Sequence, residues 1–324
     1  MNPSILYRRL AWTLVAVLML SFAVRYRTAL ATILLYARSE LSPTVPVFAT
    51  DAPQMTTKPN FTFPTERTQP TMQSASDAVI SFSPEDVKDL RIKNTSAFQP
   101  NLEELLLQPL NWDLTDGKVR VLIVHTHTTE CYKGDHPVVE PYRSVDENQN
   151  MIAVGEEVAR VLRMHGIGVI HDKTIHDYPN YNGAYAAARK TIGGYLAQYP
   201  EISLVLDLHR DAASGDAGNL VTSATVGGQR SAQLMLVMGS DTATASHKKW
   251  KENLALGLKL SVVLEQQNPG IMRTMLLRSK RYNLDLTPGS LLVEVGAAGN
   301  TLEEAKIAAN ALARAIATLA KGTM

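Results

Sequence analysis

An α/β fold, with a mostly parallel sheet flanked by helices, is predicted by three observations. From Val119 onward, short apolar runs alternate with segments of helical length. The short runs are continuously apolar rather than alternating, as expected of strands buried on both faces. The most unusual polar clusters fall directly after or inside those runs, where open α/β sheets gather functional groups.

The elements follow in order. The first strand is VRVLIV (119–124), and a long polar loop follows it. MIAVGEEVARVLRMHG then places apolar residues at 151, 152, 154, 158, 161 and 162, the spacing of one helix face, with Gly166 ending the helix. Strand IGVI (167–170), a helix near 183–199 and strand ISLVLDL (202–208) come next. Strand LMLVMG (234–239) leads into a long helix from about 247 to 267, and strand LLVEVG (291–296) into a helix over 302–320. Thr301 and Glu304 have the spacing of a capping box and fix where that last helix begins.

Before this domain (119–324) the sequence predicts three regions. Residues 1–38 hold the uncharged run LAWTLVAVLMLSFAV (10–24), with Arg8 and Arg9 ahead of it and Arg25 and Arg27 behind. A full membrane span needs about 20 apolar residues and a signal-peptide core about 7–15, so cleavage at the weak site Ala29-Leu30-Ala31 competes with retention. The paired arginines favour an uncleaved single-pass anchor, N-terminus in the cytoplasm and the rest of the chain on the outer side. Residues 39–80 are rich in Pro, Ser and Thr and read as a disordered linker. Residues 81–118, with SPEDVKDL and NLEELLLQPL, read as a lead-in.

Charge and cysteine content exclude several classes. With 32 Lys+Arg against 31 Asp+Glu the net charge is +1, which gives no global reason to bind nucleic acid. The single cysteine, Cys131, rules out an internal disulfide and a multi-thiolate zinc site. Neither a G-x-S-x-G elbow nor a G-x-x-x-x-G-K-[ST] loop is present.

What remains is a constellation of imidazoles and carboxylates. His125-Thr126-His127-Thr128-Thr129-Glu130 follows the first strand, His209-Arg210-Asp211 follows LVLDL, and Glu294 lies inside LLVEVG. Each has a bland reading: loop histidines bonded to backbone, a salt-bridged H-R-D loop, and a glutamate paired with Arg278 or Arg281. Together they favour a site. His and carboxylate ligands suit Zn2+, and three protein ligands with an open position make a hydrolytic centre. A carboxylate inside an apolar strand is costly unless engaged, and a raised pKa there suits a general base or acid. Spacing alone leaves open which of His125 and His127 is a ligand, since alternate residues of an extended segment point the same way. His165 reads as a helix-terminal cation, while His171-Asp172 and His176-Asp177 read as loop residues near the site.

The blocks HTHTTE (125–130), HDKTIHDYPNYN (171–182), DLHRDA (207–212), RYNLDLTPGSLLVEVG (281–296) and NTLEEA (300–305) resemble those of the stage II sporulation protein P family, from about residue 90 to the C-terminus. The resemblance implies a membrane-tethered peptidoglycan hydrolase of endospore formers, related to the zinc-dependent N-acetylmuramoyl-L-alanine amidases and acting during engulfment of the forespore. Endopeptidase cleavage of cross-links is also associated with the family. Stage II sporulation proteins D and M are its implied partners. By the same resemblance, His127, Glu130 and His209 are implied as zinc ligands and Glu294 as the catalytic group. Glu140 and Asp146 stand as alternatives to Glu130. His125 and Arg210 are accessory candidates, and Arg278 and Arg281 are expected to meet stem-peptide carboxylates. A tethered peptidoglycan-binding scaffold without activity, and a zinc peptidase cutting only cross-links, are the competing readings.

Overall fold

The structure, a computed structural model, describes residues 80–134, 138–215, 218–242, 244 and 246–323. The expected anchor and nearly all of the expected linker lie outside the described residues. Among the described residues, no helix is long and apolar enough to cross a membrane.

Seven strands form one sheet: β1 (Ile92–Asn94), β2 (Val119–Val124), β3 (Gly168–His171), β4 (Leu204–Asp211), β5 (Leu234–Gly239), β6 (Met275–Arg278) and β7 (Ser290–Ala297). Their spatial order is β1-β6-β5-β7-β4-β2-β3. Every neighbouring pair is parallel except β7 with β5, so the sheet is mixed, two parallel blocks joined at one antiparallel seam. The short hairpins at 214–219 and 224–231 stand apart from it.

Five helices accompany the sheet: α1 (Leu102–Leu107), α2 (Met151–Met164), α3 (Ala184–Gln198), α4 (Trp250–Gln267) and α5 (Leu302–Thr318). α2 starts where Asn150 accepts a hydrogen bond from the Ile152 amide, and Gly166 follows it at φ 77°. α5 starts at the Thr301–Glu304 capping box that the sequence predicts. α4 begins at Trp250, three residues later than expected.

The strands β1 and β6 have no counterpart among the predicted elements. At three and four residues, they are too short for a pattern to emerge. Their pairing builds residues 81–118, read above as a lead-in, into the sheet. Leu105, Leu106 and Leu114 are buried in the same core, and Trp112 Nε1 donates to the Leu319 carbonyl at 2.8 Å.

One face of the sheet is covered along its length. Val121, Ile123, Leu206, Leu236 and Val293 meet apolar residues of α2, α4 and α5 there. The other face is covered unevenly. Over β2, β3 and β4, Leu122, Val124, Ile170 and Val205 pack on Ile192 and Tyr199 at and just beyond α3. Over β5 and β7, among the described residues, the cover comes from the loop residues Tyr282 and Leu284, resting on Met235, Val237 and Leu292.

Candidate functional site

The site forms on that second face, where β4 and β7 run side by side with Glu294 in register with His209. Asp207, two residues before His209, shares its face. Beyond Glu294 the register of β7 shifts before Ala297, and Gly296 sits there at φ 71°. A Cβ on Gly296 would come within 2.8 Å of the Ala232 Cβ.

His209 lies between two carboxylates. Its Nδ1 is 3.6 Å from Glu130 Oε2 and its Nε2 is 3.1 Å from Asp207 Oδ1, the latter without the angle of a hydrogen bond. Burial pushes its pKa down, but the charges of Asp207 and Glu130 outweigh this and hold it well above the ordinary value. Burial pushes Glu130 up, and its contacts with His209 and Arg210 outweigh that and keep it low. Asp207 is fixed by Thr126, whose amide and hydroxyl donate to it at 2.8 and 2.6 Å.

His125 and His127 do not share a direction, because the chain turns after Val124 instead of staying extended. His125 is fully buried against α2; its Nδ1 meets the Leu208 carbonyl at 3.2 Å and its Nε2 meets His171 Nε2 at 2.9 Å. Burial, with His171 beside it, lowers its pKa to about 3. Only Gly155 leaves room for this pair, since a Cβ there would lie 2.5 Å from His171 Nε2. His127 turns the other way, into the site. It stacks on Tyr181 with ring centroids 4.6 Å apart and stands edge-on to Tyr185 and His209 at 5.5 and 5.3 Å.

Glu294 is the most isolated carboxylate of the group. Its Oε2 is buried with no hydrogen-bond partner, so neither Arg278 nor Arg281 pairs with it. Burial, reinforced by the nearby charges of Glu130 and Asp211 against those of His209 and Arg210, raises its pKa to about 8.

The accessory candidates separate. Arg210 is turned inward: its Nε and Nη2 donate to the carbonyls of Cys131 and Tyr142 at 3.1 and 2.9 Å, and its amide donates to Glu130 Oε2 at 3.0 Å. It braces Glu130 rather than facing substrate, and Asp211 pairs with Arg273 instead at 2.8 Å. Arg281 reaches Asp285 at 3.4 Å, away from Glu294. Arg278 is exposed in a cavity that Glu294 also lines. Of the alternatives to Glu130, Glu140 is 71 % exposed and Asp146 accepts hydrogen bonds from Asn148 in its own loop. Cys131 is buried, which raises its thiol to about 11, so it is no nucleophile.

Three contributors escape the sequence reading, Asp207, Arg143 and Tyr185, and a fourth, Asp177, reads there only as a loop residue near the site. Asp207 had the same signal as Glu294, an acid inside an apolar strand. Asp177 is buried and accepts from Arg143 Nη1 at 2.7 Å and Thr129 Oγ1 at 2.7 Å, and Arg143 lies 4.3 Å over the Tyr181 ring. Tyr185 stands between His127 and Tyr282 and lines the cavity beside Glu294. Nothing in the sequence marks Arg143 or Tyr185.

The donor chemistry here fits zinc: two imidazoles and a carboxylate, with His127 Nδ1 buried and lacking a hydrogen-bond partner and His209 Nδ1 on the side of Glu130. As the side chains stand, no three of the His, Cys, Asp and Glu side chains among the described residues are grouped to hold one ion. Glu130 is drawn instead to the Arg210 amide.

A mixed α/β sheet with imidazoles and carboxylates gathered at the ends of parallel strands defines the class. The chain belongs to the stage II sporulation protein P family, whose model matches residues 37–317. It is 30% identical over 214 residues to the stage II sporulation protein P of Bacillus subtilis (strain 168), a match covering 61% of this chain and 50% of that protein, so it spans about half the relative's length. Among solved structures it is similar to the N-acetylmuramoyl-L-alanine amidase AmiC2 of Nostoc punctiforme, with 14% identity, a TM-score of 0.37, and coverage of 62% of this chain and 96% of that one. It is also similar to the CwlD amidase from Clostridioides difficile in complex with the GerS lipoprotein, with 15% identity, a TM-score of 0.35, and coverage of 61% and 94%.

Proposed function

We propose that this chain is a zinc-dependent peptidoglycan hydrolase that cleaves the amide between N-acetylmuramic acid and the L-alanine of the stem peptide during forespore engulfment. The observation that carries the reading is the meeting of His127, Glu130, His209 and the isolated Glu294 at one strand edge, in a chain of this family. The anchor in residues 1–38, a position on the outer side of the membrane, and cooperation with stage II sporulation proteins D and M belong to the same proposal.

His127, Glu130 and His209 would hold the zinc ion. Its chemistry, when bound, is that of a Lewis acid toward the scissile carbonyl and an acidifier of water. The chain's own residues do the rest. Asp207 lies against His209 Nε2 and would orient the ring with Nδ1 toward Glu130 and the ion, and the Arg210 amide holds Glu130 in place. Tyr181, braced by Arg143, fixes the His127 ring. Glu294, whose surroundings raise its proton affinity, takes a proton from the attacking water and returns it to the leaving amine nitrogen.

The test is mass spectrometry of peptidoglycan digested by the full-length chain, with zinc and again after chelation. Release of intact stem peptides from glycan strands, lost on chelation, is the expected result. Cut cross-links alone would replace amidase with endopeptidase activity. No product, even from strands already processed by a lytic transglycosylase, would leave a binding scaffold.

A further inference from the structure

Among the described residues no helix lies over the other half of the second face, which forms a groove. Pleating sends Leu292 and Glu294 of β7, Met235 and Val237 of β5, Leu276 and Arg278 of β6, and Lys93 of β1 to that side. Together they line a cavity of about 730 Å³. A second cavity of about 390 Å³ shares Lys93, Leu276 and Arg278 with the first and adds Lys280. The floor begins at the isolated carboxylate, and its apolar residues Met235, Val237 and Leu292 lie largely buried beneath Tyr282 and Leu284, with Leu276 beside them.

The walls are basic. Arg91, Lys93, Arg273 and Arg278 line the first cavity, and the carboxylates there are Glu294 and Asp211. Asp211 is taken up by Arg273 at 2.8 Å, and Arg91 donates to the Met272 carbonyl at 2.8 Å. Lys93 and Arg278 have no ion pair or side-chain hydrogen bond to any described residue. Unneutralised cations above an apolar floor suit an elongated ligand carrying negative charge.

The register gives the length. Glu294 is level with Met235, and Arg278 is level with Gly239, four positions further along β5. At about 3.3 Å per residue this is about 13 Å along the strands, and with two strand spacings of about 4.8 Å across β5 the separation is about 16 Å, the reach of roughly four to five extended residues.

We infer that this groove is the peptide-side subsite of the centre: it takes a short extended peptide leading away from Glu294, and Lys93 and Arg278 select peptides bearing free carboxylates over carboxamides. The inference rests on the hydrolase reading and supplies the direction in which the substrate lies. It assigns a task to β1, the strand the sequence does not announce, and to Arg278, while Arg281 has none here.

The test uses the zinc-loaded full-length chain and two synthetic muramoyl tetrapeptides, one with free side-chain and terminal carboxylates and one with both amidated. The acidic form is expected to show a KM lower by about tenfold, the scale of one lost charge-assisted hydrogen bond. Replacing Lys93→Gln together with Arg278→Gln should abolish that preference; both positions are exposed, so the fold tolerates the change. Calorimetric binding of the free tetrapeptides gives a readout independent of turnover. Turnover of both forms with equal KM, unmoved by the double substitution, would overturn the subsite and leave the hydrolase standing. Binding that is lost on amidation and on double substitution, without turnover of either form, would keep the subsite and remove the hydrolase. Neither binding nor turnover would overturn both.

Discussion

The second face of the sheet is two surfaces. Over β2, β3 and β4 it is roofed by α3, with Leu122 and Val124 fully buried beneath. Over β1, β6, β5 and β7 it is open enough to hold a groove. Glu294 and His209 stand next to each other where the two surfaces meet. On the proposed reading Glu294 needs a dry setting to shift its proton affinity and an open side to reach substrate, and among the described residues this boundary provides both. The sharpest way to break the comparison is Glu294→Gln. It should lower amide hydrolysis by about 10³-fold, since it removes the proton acceptor, while bound zinc stays near the wild-type level. Replacing His209 or His127 with Ala should instead lower the zinc itself, measured by metal analysis of purified protein. His125→Gln, on the roofed side, should leave zinc in place and lower the melting temperature. Zinc loss from His125→Gln would return the two histidines to equal standing.

A pair of truncations sharpens the same contrast in stability. Leu122→Ala beneath α3 should cost about 3 kcal/mol, because a fully buried leucine leaves a cavity that the roof cannot close. Leu276→Ala in the groove floor should cost about 1 kcal/mol, since it already borders open space. Denaturant unfolding of the two variants measures both. Equal losses would mean the groove is as tightly packed as the roofed half.

How legible this was follows from the same division. VRVLIV and LVLDL, covered on both faces, and LMLVMG and LLVEVG, whose second face lies largely beneath Tyr282 and Leu284 at the groove's edge, appear as apolar runs because their apolar side chains are mostly buried. β1 and β6 pair at the sheet's edge in three and four residues, with Lys93 and Arg278 facing the groove, so polarity hides them. In the site, His209 and Glu294 were legible as polar residues where apolar ones belong, and Asp207 would have been by the same rule. The His-x-His alternatives were not separable, because the turn after Val124 is held by tertiary contacts: the Thr126–Asp207 bonds and the room left by Gly155. Arg210 looked like a substrate group in H-R-D, yet its partners, the carbonyls of Cys131 and Tyr142, come from a loop whose path no local pattern records.

A pH series tests whether Glu294 is as isolated as its surroundings make it. In chelated protein the native state holds the Glu294 proton up to about pH 8, while an unfolded chain releases it near the ordinary value of 4.5. Between those values the native state binds more protons than the unfolded one, so this group's contribution to stability declines as pH rises through that window and levels off above it. Gln at this position has no proton to lose. The stability gained by Glu294→Gln should therefore be small at pH 5 and grow toward pH 8.5, read as a melting-temperature difference that widens across that range. Taking the difference between variant and parent at each pH cancels the titrations of groups that do not interact with position 294; Glu130, His209 and Asp211 do interact with it and belong to the same response. A difference that stayed flat from pH 5 to 8.5 would mean that Glu294 is already ionised in the acid range. The carboxylate would then need a partner, and the boundary between the roofed and open halves would be wetter than its burial implies.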